Sequence, residues 1–244
     1  MFRTLLLILS SFCLQSLSAQ VWIDAGVKGS YGLTMLYNAN IFNDGYYNYQ
    51  LNSGYGFGAK LGINFAQNNG IALEGMRAYS QQSWEYDNVL FPGEYSNSVK
   101  WDNWDLYLLY RFYSERAYIE LGPKYSLRKN ITQTDSGLPI DIDVNNFYEE
   151  QYPSATLGFG GFLAGSESFA LILGFRLDYA VTDFISESGQ NFNYPNPVRS
   201  NIYSDYKGTH PLSAQVSLEL NFAIGEYAKA SCGKRAFLFF PGNR

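Results

Sequence analysis

Eleven charged residues stand at alternate positions in otherwise apolar stretches, and they are the first candidates for chemistry. The cations are Lys28, Lys60, Arg111, Lys124 and Arg176; the carboxylates are Asp24, Glu74, Asp105, Glu120, Asp178 and Glu219. Their signs nearly balance. An unpaired charge in a narrow interior costs several kcal/mol, so this spacing predicts a structural network of ion pairs on one face. The sharper alternative is a gated, ion-selective path through the same groups.

Other reactive constellations are sparse. His210 is the only histidine, and Ser213 follows three residues later. Some outer-membrane lipid hydrolases use serine, histidine and a carboxylate, but on an extended strand an offset of three turns two side chains to opposite faces. One histidine and one cysteine beyond the leader, Cys232, supply too few ligands for a transition metal and no partner for a disulfide. Asn43-Asp44-Gly45 lacks the spaced carboxylates of a calcium loop and reads as a turn. No catalytic, metal or cofactor residue is therefore assigned. The net charge of −5 argues against a nucleic-acid partner.

The elements that must position these charges are strands. From Leu212 to Phe222 every second residue is apolar and those between are polar or charged, a strand with two unlike faces. Seven similar segments precede it: Val21 to about Tyr37, Tyr55 to Phe65, Ile71 to about Tyr86, Trp101 to Phe112, Ala117 to about Arg128, Ser154 to Ala164 and Phe169 to Asp183. The third loses phase near Gly75-Met76-Arg77, where a β-bulge would restore it. In the fifth, Pro123 removes one ladder donor. Connections alternate between short ones (Ala66 to Gly70, Tyr113 to Arg116, Gly165 to Ser168) and long ones rich in Asn, Tyr, Ser, Gly and Asp.

At the start, Arg3, the apolar run Leu5 to Cys13 and Ser16-Leu17-Ser18-Ala19 compose a secretory signal, with cleavage expected before Gln20. That run falls short of the roughly 20 residues of a spanning helix. Charged residues are 16% of the chain against about 25% in typical soluble domains, and aromatics are 18%. Together these features predict an all-β, eight-stranded antiparallel transmembrane up-and-down barrel in a bacterial outer membrane, with both mature termini periplasmic and long loops outside. A soluble lipocalin-type barrel also alternates. Gly56, Gly58, Gly62, Gly122, Gly158, Gly160 and Gly174, however, lie on the polar face, as a crowded lumen demands. Aromatic girdles are expected at the outer rim (Tyr55, Trp84, Tyr86, Trp101, Trp104) and the inner one (Trp22, Phe65, Phe112, Tyr113, Phe222). The expected organisation is a signal at 1–19, a barrel at 20–226 and a periplasmic tail at 227–244.

Glu120-Leu121-Gly122-Pro123-Lys124-Tyr125, Gly174-Phe175-Arg176-Leu177-Asp178-Tyr179 and Leu218-Glu219-Leu220-Asn221-Phe222 give the chain a family likeness. It resembles the small outer-membrane barrels of Bacteroidetes, including PorT-like proteins, and more distantly OmpA- and OmpX-type barrels. The resemblance implies fold and location, and for PorT-like members an association with type IX secretion. It departs from them in continuing beyond Phe222 to Arg244. Three classes of function remain open: an envelope-structural barrel or accessory subunit of an outer-membrane complex, a surface-binding barrel, and a lipid-modifying enzyme. The second would use the aromatic loops Asn38 to Gly54 and Glu187 to Thr209, which hold Phe42, Tyr46, Tyr47, Tyr49, Tyr194, Tyr203 and Tyr206. Expected partners are outer-membrane lipid and, through the tail with its cations and Phe237 to Phe240, other outer-membrane or periplasmic proteins.

Overall fold

The structure is a computed structural model that describes residues 21–65, 68–87, 93–137, 143–166, 169–196, 203 and 205–227. The expected signal and nearly all of the expected tail lie outside the described residues. Alternation and β-branched or aromatic content build nine strands: β1 Val21–Asn38, β2 Tyr47–Tyr49, β3 Asn52–Phe65, β4 Asn69–Asp87, β5 Glu94–Tyr113, β6 Ala117–Asp135, β7 Gln151–Gly165, β8 Phe169–Ala180 and β9 Thr209–Tyr227. Two one-turn helices, α1 Ala39–Asn43 and α2 Glu187–Asn191, lie in the long loops.

All pairings are antiparallel, in the order β4-β3-β1-β9-β8-β7-β6-β5, and β5 pairs back onto β4. Eight strands thus close an up-and-down barrel without a free edge. The short β2 only extends the top of β4, matching Tyr47 with Tyr86 and Tyr49 with Trp84. Closure falls on β1 and β9, paired from Val21↔Tyr227 to Asn38↔Thr209 with one bulge at Ile23/Asp24. The last strand therefore ends one residue beyond the expected barrel boundary. Val21 also faces Phe65, so the described ends of the chain lie at the short-turn end.

Outward positions carry a continuous apolar belt, including Val27, Phe57, Leu61, Leu73, Leu106, Leu121, Leu157, Leu173 and Leu218, all more than a third exposed. Inward positions carry the charges and small residues. A closed ring leaves no backbone group unpaired against hydrocarbon, so the belt makes this a transmembrane barrel. The third expected strand needs correction. β4 pairs with β5 from Asn69 to Asp87 without a register shift, so no bulge exists at Gly75-Met76-Arg77. Ladder continuity on both sides outweighs local apolar phase. Arg77 therefore points outward, where it binds Asp102 and lies over the Tyr79 and Trp104 rings at 5.4 and 5.7 Å. The bulge sits instead on the next pairing, at Asp102/Asn103 between β5 and β6.

The strands β4, β5 and β6 run well above the belt, further than the alternating apolar segments alone indicate. Their upper inward positions, with Tyr152 of β7 and loop residues, form an aromatic plug that includes Trp84, Tyr86, Trp101, Tyr148, Phe184 and Tyr194. Trp84, Tyr86 and Trp101 are thus interior residues, 0, 4 and 4% exposed, and not parts of an outer girdle. The reason is parity: Trp84 and Tyr86 lie an even number of residues from Glu74 on an unbroken strand, and Trp101 lies four from Asp105. At the opposite end Tyr113 turns inward to meet Tyr118 and Phe162, and Trp22 shares the inward parity of Asp24. Tyr55, Trp104, Phe112 and Phe222 do face outward.

Candidate functional site

The eleven charges predicted from spacing all turn into the lumen, each at most 7% exposed. They come from every barrel strand except β7. In the inner half, Arg111 on β5 reaches Glu74 at 2.8 Å, Glu120 at 2.9 Å and Glu219 at 3.0 Å. Arg176 on β8 bridges Glu74 at 2.9 Å and Glu120 at 2.6 Å. Lys28 lies 3.3 Å from Glu74, and Lys60 joins Glu219 at 2.6 Å to Asp24 at 3.0 Å. Guanidinium forks match paired carboxylates in tight geometry, so Arg111 and Arg176 each reach two or more glutamates within 3.0 Å, whereas Lys28, which also bridges Glu74 and Glu219, lies at 3.3 and 3.8 Å.

A smaller outer group sets Lys124 against Asp178 at 3.2 Å and Asp105 at 3.8 Å. Asp178 also accepts from Tyr107 at 3.2 Å, Thr156 at 2.7 Å and Ser213 at 3.2 Å. Sequence spacing did not bring out these uncharged partners, nor Asn64, which donates to Asp24 at 2.6 Å. Their only signal was inward parity. Tyr118 and Tyr107 likewise receive Arg111 and Arg176 over their rings at 4.7 and 4.6 Å.

Glycine makes room for this network. A Cβ on Gly158 would come within 2.7 Å of Glu120 Oε1, and one on Gly62 within 2.3 Å of Asp24 Oδ1. Gly122 is held by the wall itself, since its Cβ would meet the Leu108 carbonyl oxygen at 2.1 Å where Pro123 interrupts the ladder. Small residues on the inner face therefore serve both carboxylate rotamers and strand approach.

His210 and Ser213 are separated as their spacing predicts. Ser213 points inward to Asp178, while the His210 ring stacks on outward Tyr179 at 5.4 Å and its Nδ1 lies 3.0 Å from the Ala180 carbonyl oxygen. Asp44 accepts from Tyr46 N at 3.1 Å within its own loop, which is the geometry of a turn, and from Tyr203 Oη of the last long loop at 2.7 Å. Among the described residues no group of three His, Cys, Asp or Glu side chains is arranged to hold a metal ion.

No protein-family model and no curated protein matches the chain. Among solved structures it is similar to Neisserial surface protein A, at 11% identity over 82% of this chain and 96% of that one, with a TM-score of 0.42. The outer membrane protein OprG from Pseudomonas aeruginosa is similar at 13% identity, 84% and 96% coverage and a TM-score of 0.42. Ail, the attachment invasion locus protein of Yersinia pestis, is similar at 11% identity, 84% and 99% coverage and a TM-score of 0.33. Likeness at this level carries no argument about role, and the barrel rests on its own strand pairing.

Proposed function

We propose that this chain is a non-enzymatic barrel of a bacterial outer membrane, acting in envelope structure or as an accessory subunit of an outer-membrane complex. The observation that carries the reading is the filled lumen. An aromatic plug closes its outer half, the ion network fills its middle, and Tyr113, Tyr118, Phe162 and Ile172 pack its inner end. Eight strands enclose just enough space for side chains, and here they use it. The belt, the ring closure and the N-terminal signal read from the sequence support the outer membrane, with the short-turn end and both termini periplasmic.

The alternative of a loop-borne recognition surface loses most of its aromatics to the plug. Tyr47 and Tyr194 are buried there, and Tyr46 and Tyr49 pack against it. Phe42 and Tyr206 remain exposed. The PorT-like resemblance supports a secretion-associated assembly as the complex in question. Planar-bilayer recording of the refolded chain, paired with gentle detergent extraction from native membranes, tests the reading. Expected are no stable large single-channel conductance and recovery of the barrel with outer-membrane partners. Stable large openings would overturn it.

A further inference from the structure

The lipid-facing belt has a hollow. Gly75 on β4, Ala59 on β3 and Gly29 on β1 all point outward, and Ala59 pairs directly with Gly75. They floor a groove of about 710 Å³ walled by Val27, Phe57, Trp104 and Leu218. Wall packing does not require the two glycines, since a Cβ on Gly29 or Gly75 would meet no atom closer than 3.9 Å. Glycine weakens a strand and often marks a place where a ligand or another backbone approaches closely. Here the approach is from the hydrocarbon side, where acyl chains are the surrounding medium.

The rim above this hollow is basic. Arg77 stands two residues beyond Gly75 on the same face, and its ladder partners Phe57 and Trp104 are walls of the groove. Asp102 takes one side of the guanidinium. Lys100 lies two residues nearer the long-loop end of β5 than Asp102, and Lys129 sits at the β6 bulge opposite Asp102 and Asn103. Both lysines are exposed, and among the described residues neither makes an ion pair or a side-chain hydrogen bond. Three cations thus meet one carboxylate. Arg128 beside them is occupied by the Asn145, Tyr148 and Glu149 carbonyls. Among the described residues β1, β3, β7, β8 and β9 carry no outward lysine or arginine. Further up β4 and β5 the exposed charges turn acidic at Glu85, Asp87 and Glu94. The basic band is therefore confined to the outward Tyr55, Tyr79 and Trp104 rings and the stretch just above them, the level at which lipid headgroups lie.

We propose that groove and rim form one binding site for an anionic lipid of the outer leaflet whose headgroup charge is phosphate. An acyl chain lies over Gly75, Ala59 and Gly29, and the phosphate meets Arg77, Lys100 and Lys129. Asp102 holds the Arg77 fork in place and leaves its other N–H donors to the phosphate. A second copy of the chain fits this wall less well, because a two-fold contact through it sets the same cations against themselves. The site rests on the outer-membrane reading above for the leaflet that supplies the lipid.

Trp104 is the reporter for the test, since Trp84 and Trp101 are interior and Trp22 has inward parity. The full chain is refolded in phosphatidylcholine vesicles in which a fixed minor fraction of the lipid carries brominated acyl chains, which quench tryptophan on contact. At constant ionic strength, brominated phosphatidic acid is expected to be preferred at Trp104 over brominated phosphatidylcholine by at least about fivefold, the factor that one surface lysine gives an anionic lipid. The double substitution Lys100→Gln and Lys129→Gln is expected to lose that preference. Gly75→Leu, which fills the groove and keeps every charge, is expected to lower quenching by brominated phosphatidic acid. Equal quenching by the two lipids in the unsubstituted chain would overturn the proposal, as would a preference that survives both sets of substitutions. Inorganic phosphate that removes the preference would show that the rim holds the free anion, and would overturn the lipid. Should a substituted chain fail to refold, the two-lipid comparison on the unsubstituted chain still decides. That comparison needs neither a partner nor a conductance, so its failure leaves the plugged-barrel reading standing.

Discussion

Single residues in this lumen matter through the partners they leave behind. Arg176 on β8 links Glu74 to Glu120 from the side opposite Arg111's β5, and all four side chains are buried. Removing it strands part of two carboxylate charges, and breaking a buried pair typically costs about 3–5 kcal/mol. Arg176→Met is therefore expected to lower the refolding stability by about that amount in vesicle titrations, whereas Lys207→Met, at an exposed position, is expected to leave it unchanged. The outward face obeys the opposite rule. Leu173 is 42% exposed to the belt and faces Leu218 and Gly161. Leu173→Arg should cost about 2–4 kcal/mol if it lies near the midplane, and a neutral result in the same titration would refute the outward register of β8.

At the scale of elements, the outer extension is a second core set on top of the membrane barrel. Phe184 is fully buried there, with ring centroids 5.8 Å from Trp101, 5.3 Å from Tyr148 and 5.0 Å from Tyr152. Truncating a core phenylalanine costs about 3–5 kcal/mol. Phe184→Ala should therefore speed proteolysis of the external loops while the belt strands stay protected. The same cap should respond to alkali. Burial pushes the Tyr49 hydroxyl up to about 12, and burial also raises Tyr86, Tyr148 and Tyr194. A phenol that holds its proton more tightly when folded contributes stability that is fully present below its ordinary value of 10. That stability is lost as the pH rises from there towards the folded value. Tyrosinate absorbance is expected to appear late, together with loop cleavage, and ionisation of these tyrosines near pH 10 in the intact cap would contradict it.

The whole molecule is a ring whose last seam is β1 against β9. Because that seam is already paired from Asn38 down to Val21↔Tyr227, removal of residues 228–244 is expected to leave a barrel that still refolds with the unsubstituted midpoint. A truncated chain that refolds to a lower midpoint would show that the tail contributes to closure. The two plugs and the network between them are equally global, since each draws on strands far apart in sequence. Lys60 and Glu219, for example, are separated by 159 residues and meet at 2.6 Å.

Strict alternation along each segment was enough to assign which residues face lipid and which face the lumen, because a strand's side-chain period is two and a membrane tolerates no mixed face. Short and long connections in turn set the up-and-down order. That is why the eleven lumen charges and the inward glycines were readable from the chain alone. Which charge meets which was not, since partners are chosen by barrel register across strands. Arg77 and the Trp84, Tyr86 and Trp101 rings show the limit most clearly. Their local apolar surroundings suggested a bulge and a girdle, but ladder hydrogen bonds on both sides of β4 kept its register unbroken, and parity then carried the three rings inside.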